Sequence, residues 1–376
     1  MGAEFLGKLW SFFKSRKLAI FLIAALVISF TLGVLIPQAA SRPDRFSLWA
    51  SEHPFWARIA QALSLDEVFT SWWFALISFF FFVNLFACTW DQGARAWRLW
   101  KNRTSIKNYP GILAPVVIHA GLIVVVLGGL ASAGFKMTGY MTVMEGEVRR
   151  ELREEYEVLS EAPFFGLIGH RGYGIGLKKQ ERVLDETGKV SYIKSEIVVL
   201  DENKVLLEKT VEAGSPLIYK GLALYEYNAG FAPLVTITGP DGRELYKGFL
   251  FMQTLPGPPE TTYQRKNFSV PGTSFVLDVR FYPDMVIRGG KVVTRKFSLG
   301  TPGMEVSIFQ NGQEVVKGIV KKGEKLNFAG NSLSFGEVRQ WTGLEVVYDP
   351  GAKILFGGCV VTLVGMALLY LKMRGP

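Results

Sequence analysis

Residues 111–134 read GILAPVVIHAGLIVVVLGGLASAG, and this stretch decides the fold. It is long enough to cross a bilayer, which takes about 20 apolar residues rising about 1.5 Å each. His119 is the one ionisable side chain in it. A polar ring in hydrocarbon costs free energy unless it finds a partner, so an intramembrane histidine is a functional candidate by default. The plainer role for such a ring is a hydrogen bond to a neighbouring helix.

Three more apolar runs of spanning length flank this one, at residues 18–36, 71–90 and 352–371. The first comes after Lys14, Arg16 and Lys17 and precedes Ala39-Ala40-Ser41, as a signal peptide would. Its apolar core exceeds the ~7–15 residues of a signal, so an uncleaved anchor is expected. The chain of 376 residues carries 42 Lys and Arg against 33 Asp and Glu, a net charge of +9. That excess is clustered. Lys8, Lys14, Arg16 and Lys17 precede the first span, Arg95, Arg98, Lys101, Arg103 and Lys107 separate the second from the third, and Lys372 and Arg374 end the chain. Four spans put all three clusters on one side, which the positive-inside rule makes cytoplasmic. The short segment 37–70 then forms an outer loop, and 135–351 lies outside as well. No stripe of alternating basic and aromatic residues points to nucleic acid.

The outer segment reads as β structure. Residues 195–200 and 205–211 alternate around Asp201-Glu202-Asn203-Lys204, and 234–238 and 244–249 flank Gly239-Pro240-Asp241-Gly242. Asn311-Gly312, between 305–310 and 313–320, is the strongest hairpin signal in the chain. Gly330-Asn331 separates 326–328 from 332–335. Such spacing predicts a sandwich or open barrel. Charge over 147–157 predicts a short helix, and the Pro- and Gly-rich stretch 255–260 predicts a division into two lobes. The fold expected is a membrane protein of four transmembrane α-helices with an all-β extracytoplasmic domain inserted between helices 3 and 4. Its parts are residues 1–134, 135–351 and 352–376, the last being the fourth helix and a short cytoplasmic tail.

A neutral imidazole suits haem iron, which makes His119 a candidate axial ligand. Pro115 is placed in the first turn of its span, where a missing N–H is tolerated. The second span runs the other way, which brings Asn84 to the level of His119. Asn84 could accept the ring proton and orient the imidazole, or serve only as packing glue. Ala120, Gly121, Gly128, Gly129 and Ala133 offer a small surface to another helix or to a flat macrocycle. Trp72 and Trp73 fit an aromatic belt, with stacking on a haem edge as the alternative. His53 and His170 read as solvated loop residues. Cys88 and Cys359 read as packing residues at different depths, and neither belongs to a Cys-x-x-Cys pair. No Cys-x-x-Cys-His haem-attachment motif and no serine nucleophile elbow occurs.

The order of several motifs resembles the ResB family, the membrane subunit of system II cytochrome c biogenesis. Leu32-Gly33-Val34-Leu35-Ile36-Pro37-Gln38 resembles the exit from its first span. Ser71-Trp72-Trp73-Phe74 and Asn84-Leu85-Phe86-Ala87-Cys88-Thr89 resemble its second. His119-Ala120-Gly121-Leu122 with Leu127-Gly128-Gly129 resembles its third, and Met144-Glu145-Gly146-Glu147 resembles the segment after that span. Ser195-Glu196-Ile197-Val198-Val199, Ser215-Pro216-Leu217-Ile218-Tyr219-Lys220-Gly221 and Glu345-Val346-Val347-Tyr348-Asp349-Pro350-Gly351 continue the likeness to the fourth span. Two departures are local: Ser215 stands where the family has asparagine, and Tyr225-Glu226-Tyr227-Asn228 replaces a stretch richer in glutamine and serine.

The resemblance implies a multi-pass protein of the bacterial cytoplasmic (inner) membrane with both termini cytoplasmic. It implies a partner of the CcsA or ResC type, whose tryptophan-rich motif this chain lacks. His119 would pair with a partner histidine to hold reduced haem b, which the complex delivers to apocytochrome c. A thioredoxin-like thiol reductant is a further implied partner. The chain would then be one subunit of a holocytochrome c synthase, with no complete active site of its own. The competing expectation is a non-catalytic, membrane-tethered β scaffold that binds an extracytoplasmic partner, with His119 structural.

Overall fold

The computed structural model describes residues 2–39, 43–101, 109–185, 190–202, 204–255 and 262–374. Ala40, Ser41, Arg103, Lys107, Asn203 and most of the 255–260 stretch lie outside the described residues. The chain forms two compact units, residues 1–133 with 350–376, and residues 134–349.

The first unit is helical: α1 (Gly2–Phe13), α2 (Arg16–Leu35), α3 (Pro43–Glu52), α4 (Pro54–Ala62), α5 (Trp72–Lys101), α6 (Tyr109–Phe135) and α7 (Pro350–Arg374). Four of these, α2, α5, α6 and α7, are long and apolar enough to cross a membrane, with mean hydropathy between 1.8 and 2.8. The protein is a multi-pass membrane protein. Pro37 stands just past the end of α2, where a helix cannot readily continue. α5 runs on past the expected end at residue 90 through Arg95, Arg98 and Lys101, so these cations are helical and not part of a loop.

The segment 37–70, expected as a loop, contains α3 and α4. Each starts with a proline, whose fixed φ and missing N–H suit a first helical position. Gln38 ties the segment together. Its amide donates to the carbonyls of Ile36 at 2.9 Å and Leu65 at 3.1 Å, and its oxygen accepts from Val68 N–H at 3.0 Å.

α6 and α7 pack antiparallel along glycines seven residues apart: Gly121 and Gly128 on one helix, Gly351, Gly358 and Gly365 on the other. A Cβ on Gly121 would lie 2.6 Å from Thr362 N, and one on Gly358 2.6 Å from Val125 N. The backbones therefore touch, which is how helices associate where lipid removes the hydrophobic drive. The small face of the third span belongs to helix packing at Gly121 and Gly128. Gly129 faces open space.

The second unit is built of antiparallel strands in sheets of seven, five, four and two. Its first and last strands, Met137–Met144 and Asn331–Tyr348, pair with Met137 opposite Tyr348, so the chain enters and leaves at one place. Two long strands, Leu222–Thr238 and Asn331–Tyr348, pair over nearly their whole length in the seven-stranded sheet. One end of this sheet shares a core with the four-stranded sheet through Met141, Ile175, Ile197, Leu224 and Leu344. The other end shares a core with the five-stranded sheet through Phe231, Leu277, Phe281, Ile308 and Phe335. The lobe boundary therefore cuts across the long strands. It does not fall at 255–260, since Met252 and Tyr263 on either side of that stretch lie in one core.

The expected hairpins form, with Asn311 and Gly312 at φ 52° and 80° in a two-residue turn of the left-handed kind. At the last hairpin, Phe328 pairs Asn331, so the turn residues are Ala329 and Gly330 and not Gly330-Asn331. Residues 147–157, expected helical, contain the strand Val148–Arg150 and one 3-10 turn at Arg153–Glu155. The charges there pair across strands and loops instead of along a helix.

Candidate functional site

His119 is half-buried on α6, two turns and more inside a helix that begins at Tyr109. Pro115 therefore lies in the helix interior and not in its first turn, and removes one backbone bond there. The His119 Nδ1 lies 2.7 Å from the Pro115 carbonyl oxygen. A carbonyl can only accept, so Nδ1 carries the proton and a neutral ring presents a bare Nε2 lone pair. At about 100° per residue, His119 sits roughly 160–180° around α6 from the face that Gly121 and Gly128 give to α7. The ring is turned away from the glycine seam and leaves its outer nitrogen for a group on the other side.

Asn84 does not serve His119. It is 3% exposed, and its amide donates to the carbonyls of Phe13 and, at 3.4 Å, Ser15. Cys88 Sγ lies 3.7 Å from the Lys14 carbonyl, and Lys14 Nζ lies 3.4 Å from Asp91. Asn84, Cys88 and Asp91 fall at i, i+4 and i+7 on one face of α5, and together they clamp the joint between α1 and α2. The proton expected to pass to Asn84 is held by Pro115. Cys88 thus has a bonding role as well as a packing one, and both cysteines are free.

Trp72 is 74% exposed at the start of α5. Trp73 Nε1 donates to the Leu63 carbonyl at 2.9 Å, which fixes the end of α4 against α5. His53 is exposed between α3 and α4, with its ring centroid 5.9 Å from that of Trp49.

In the β unit, His170 is not a solvated loop residue. Its side chain is 12% exposed, with Nδ1 2.5 Å from Glu151 and Nε2 2.9 Å from Glu161. Glu151 is fully buried and also accepts from Tyr156 Oη at 3.1 Å and Arg171 N–H at 2.5 Å, while Arg153 pairs with Glu161. Burial opposes a charge on His170, but the two carboxylates outweigh it and hold its pKa above the ordinary value. Burial first, then the Glu151 charge, pushes the Tyr156 phenol far up. Sequence alone concealed this cluster, because its members are scattered over turns with no periodicity.

A second polar layer lies where the two cores of the long sheet meet. Gln180 donates to the Trp341 carbonyl at 2.8 Å and to Thr342 Oγ1 at 2.6 Å. Arg182 lies 3.9 Å over the Phe231 ring and bonds Gln340. Ser195 donates to Glu226 at 2.9 Å, and burial pushes the Glu226 carboxyl up to about 7. These bonds join the four-stranded sheet to the long strands and read as structural.

Comparison with known proteins places the chain among relatives. The sequence profile of the ResB-like family matches residues 16–111 and 104–374. The cytochrome c biogenesis protein CcsB of Gloeobacter violaceus is 22% identical, over 95% of this chain and 82% of that protein. CcsB of a Picosynechococcus strain is 21% identical over 84% of this chain and 72% of that protein. The cytochrome c biogenesis protein Ccs1 of Pyropia yezoensis is 19% identical over 96% and 86%.

Proposed function

The chain belongs to the ResB-like family, and from that premise we propose that it works in cytochrome c biogenesis as the subunit that holds haem within the membrane. The observation that carries the reading is the 2.7 Å bond from His119 Nδ1 to the Pro115 carbonyl. That bond fixes the tautomer and the ring plane, as the outer bond of a metal-ligating histidine does. The residues fit the group: a neutral Nε2 on an otherwise apolar helix, aimed away from the helix packed behind it. Haem, when bound, supplies the iron that the imidazole coordinates and the vinyl carbons to which a cytochrome's cysteines become joined.

What this chain does is hold and orient. His119 grips from one side, and the α6–α7 seam backs the helix that carries it. The candidate spans contain no second histidine, so a second histidine for haem would have to come from another chain, of the CcsA or ResC type. The β unit, on the extracytoplasmic side of a bacterial cytoplasmic membrane with both termini inside, meets the apocytochrome or steadies the partner. A thioredoxin-like reductant keeps the cytochrome thiols free. The covalent step is completed by the assembled complex.

The test is the haem content of the chain purified with its partner. His119→Ala lowers bound haem about tenfold or more, since the iron–imidazole bond is lost while the helix seam remains. Haem content equal to wild type would return His119 to a purely structural role, and a wild-type complex that carries no haem would favour a β scaffold instead.

A further inference from the structure

Beside the His119 site, Lys14 and residues of α2, α5 and α6 line a cleft of about 500 Å³ at the basic ends of the helices. Its walls include Lys14, Arg16, Asp91 and Arg95, with Leu99 and Pro115 as apolar surface. Asp91 binds Arg95 at 2.6 Å and Lys14 at 3.4 Å. One carboxylate thus serves two cations. Arg16 is exposed and forms no ion pair among the described residues. The cleft therefore holds three positive side chains against one negative, next to low-dielectric helix surface where an anion is attracted more strongly than in water. Guanidinium groups in such a place suit a carboxylate, with paired N–H donors. Pro115 connects the cleft to the ligand: the residue that lines it also holds His119 Nδ1, one helical turn along α6.

We propose that this cleft receives the carboxylate edge of the tetrapyrrole, with Arg16 and Arg95 as the anion-binding groups and Asp91 as an internal carboxylate that occupies Arg95 until the propionate displaces it. The proposal rests on the haem reading for the identity of the ligand, but its chemistry is separable, since it concerns the propionates and not the iron. It also assigns polarity: the ring lies with its propionates at the basic end of the helices and its iron one turn deeper. The mixed wall explains the selectivity. A ligand must be flat and apolar on one part and dianionic on the other to use both Leu99 and the arginines.

The experiment uses the full chain in discs of zwitterionic lipid, titrated with metal-free protoporphyrin IX and with its dimethyl ester, and read by porphyrin fluorescence. The free acid binds about tenfold or more tightly than the ester, as expected for charge-assisted bonds to two cations. The double variant Arg16→Gln/Arg95→Gln erases that preference. Asp91→Asn widens it, because the competing carboxylate is gone, and apolar surface exposed by misfolding would not favour the acid over the ester. Equal binding of acid and ester to the wild-type chain overturns the proposal, as does a preference indifferent to both variants. The haem reading is checked separately with haem itself and His119→Ala. An iron spectrum unaffected by that substitution removes the axial-ligand assignment while the acid–ester preference still stands or falls alone.

Discussion

His119 and Asn84 show how single hydrogen bonds give two membrane-helix side chains different tasks. The backbone carbonyl of Pro115 takes the His119 ring proton, which leaves Nε2 with its lone pair free of that bond. Asn84, one helix away, spends its donors on Phe13 and Ser15. Asn84→Ala is therefore expected to lower stability by about 1 kcal/mol, by taking the amide donor from part-buried carbonyls, while the haem spectrum stays unchanged. Thermal unfolding and an absorption scan of the same sample check both halves. His170 gives a pH-dependent prediction. Its folded pKa lies above the ordinary value near 6.5, so the stability gained from its charge is fully present below pH 6.5 and is lost as pH rises through the folded value. The gap in melting temperature between wild type and His170→Gln should narrow steadily above that point. A gap that widens with pH would reverse the assigned charge. The role of His119 as a candidate was legible from polarity alone, because a lone imidazole in a lipid-length run has few explanations. Its orienting partner was not legible, since a backbone carbonyl carries no side-chain signature.

The helices were readable as elements, and their partners only in part. Gly121 and Gly128 announced a close approach on the third span, but the sequence offered both a helix and a macrocycle as the approaching body. The deciding pattern is the matching series Gly351, Gly358 and Gly365 on α7. Seven-residue spacing of small side chains on both helices fixes one antiparallel seam. Gly358→Leu should destabilise the membrane unit by about 1–3 kcal/mol or more through overpacking against Val125. Gly129→Ala should cost nothing measurable in packing, because open space lies there. Detergent-resistance or steric-trapping measurements separate the two, and equal effects would contradict the seam. The helices α3 and α4 were missed because short mixed polar–apolar segments resemble loops, and only the prolines at their first positions marked them. The i, i+4, i+7 stripe Asn84, Cys88 and Asp91 was visible in principle, yet its target, a bend between α1 and α2, exists only after folding.

Across the whole molecule, the division of labour comes from hydropathy and strand length. One unit holds the four apolar helices with α1, α3 and α4, and an antiparallel β unit is inserted between the third and fourth of the apolar helices. Hairpins such as the one at Asn311-Gly312 were legible because turn chemistry is local. The two cores were not, because Leu222–Thr238 and Asn331–Tyr348 each serve both, and the boundary runs transverse to the chain. On the proposed reading, a chain that supplies one imidazole, backed by a glycine seam and flanked by a cationic cleft, is half of a haem site. The most direct test is the reduced absorption spectrum of the chain isolated with its membrane partner, for wild type, His119→Ala, and His119→Ala supplied with free imidazole. The account predicts a six-coordinate low-spin spectrum in the wild type, its loss in the variant, and its return with imidazole. A variant spectrum identical to wild type without imidazole would contradict it.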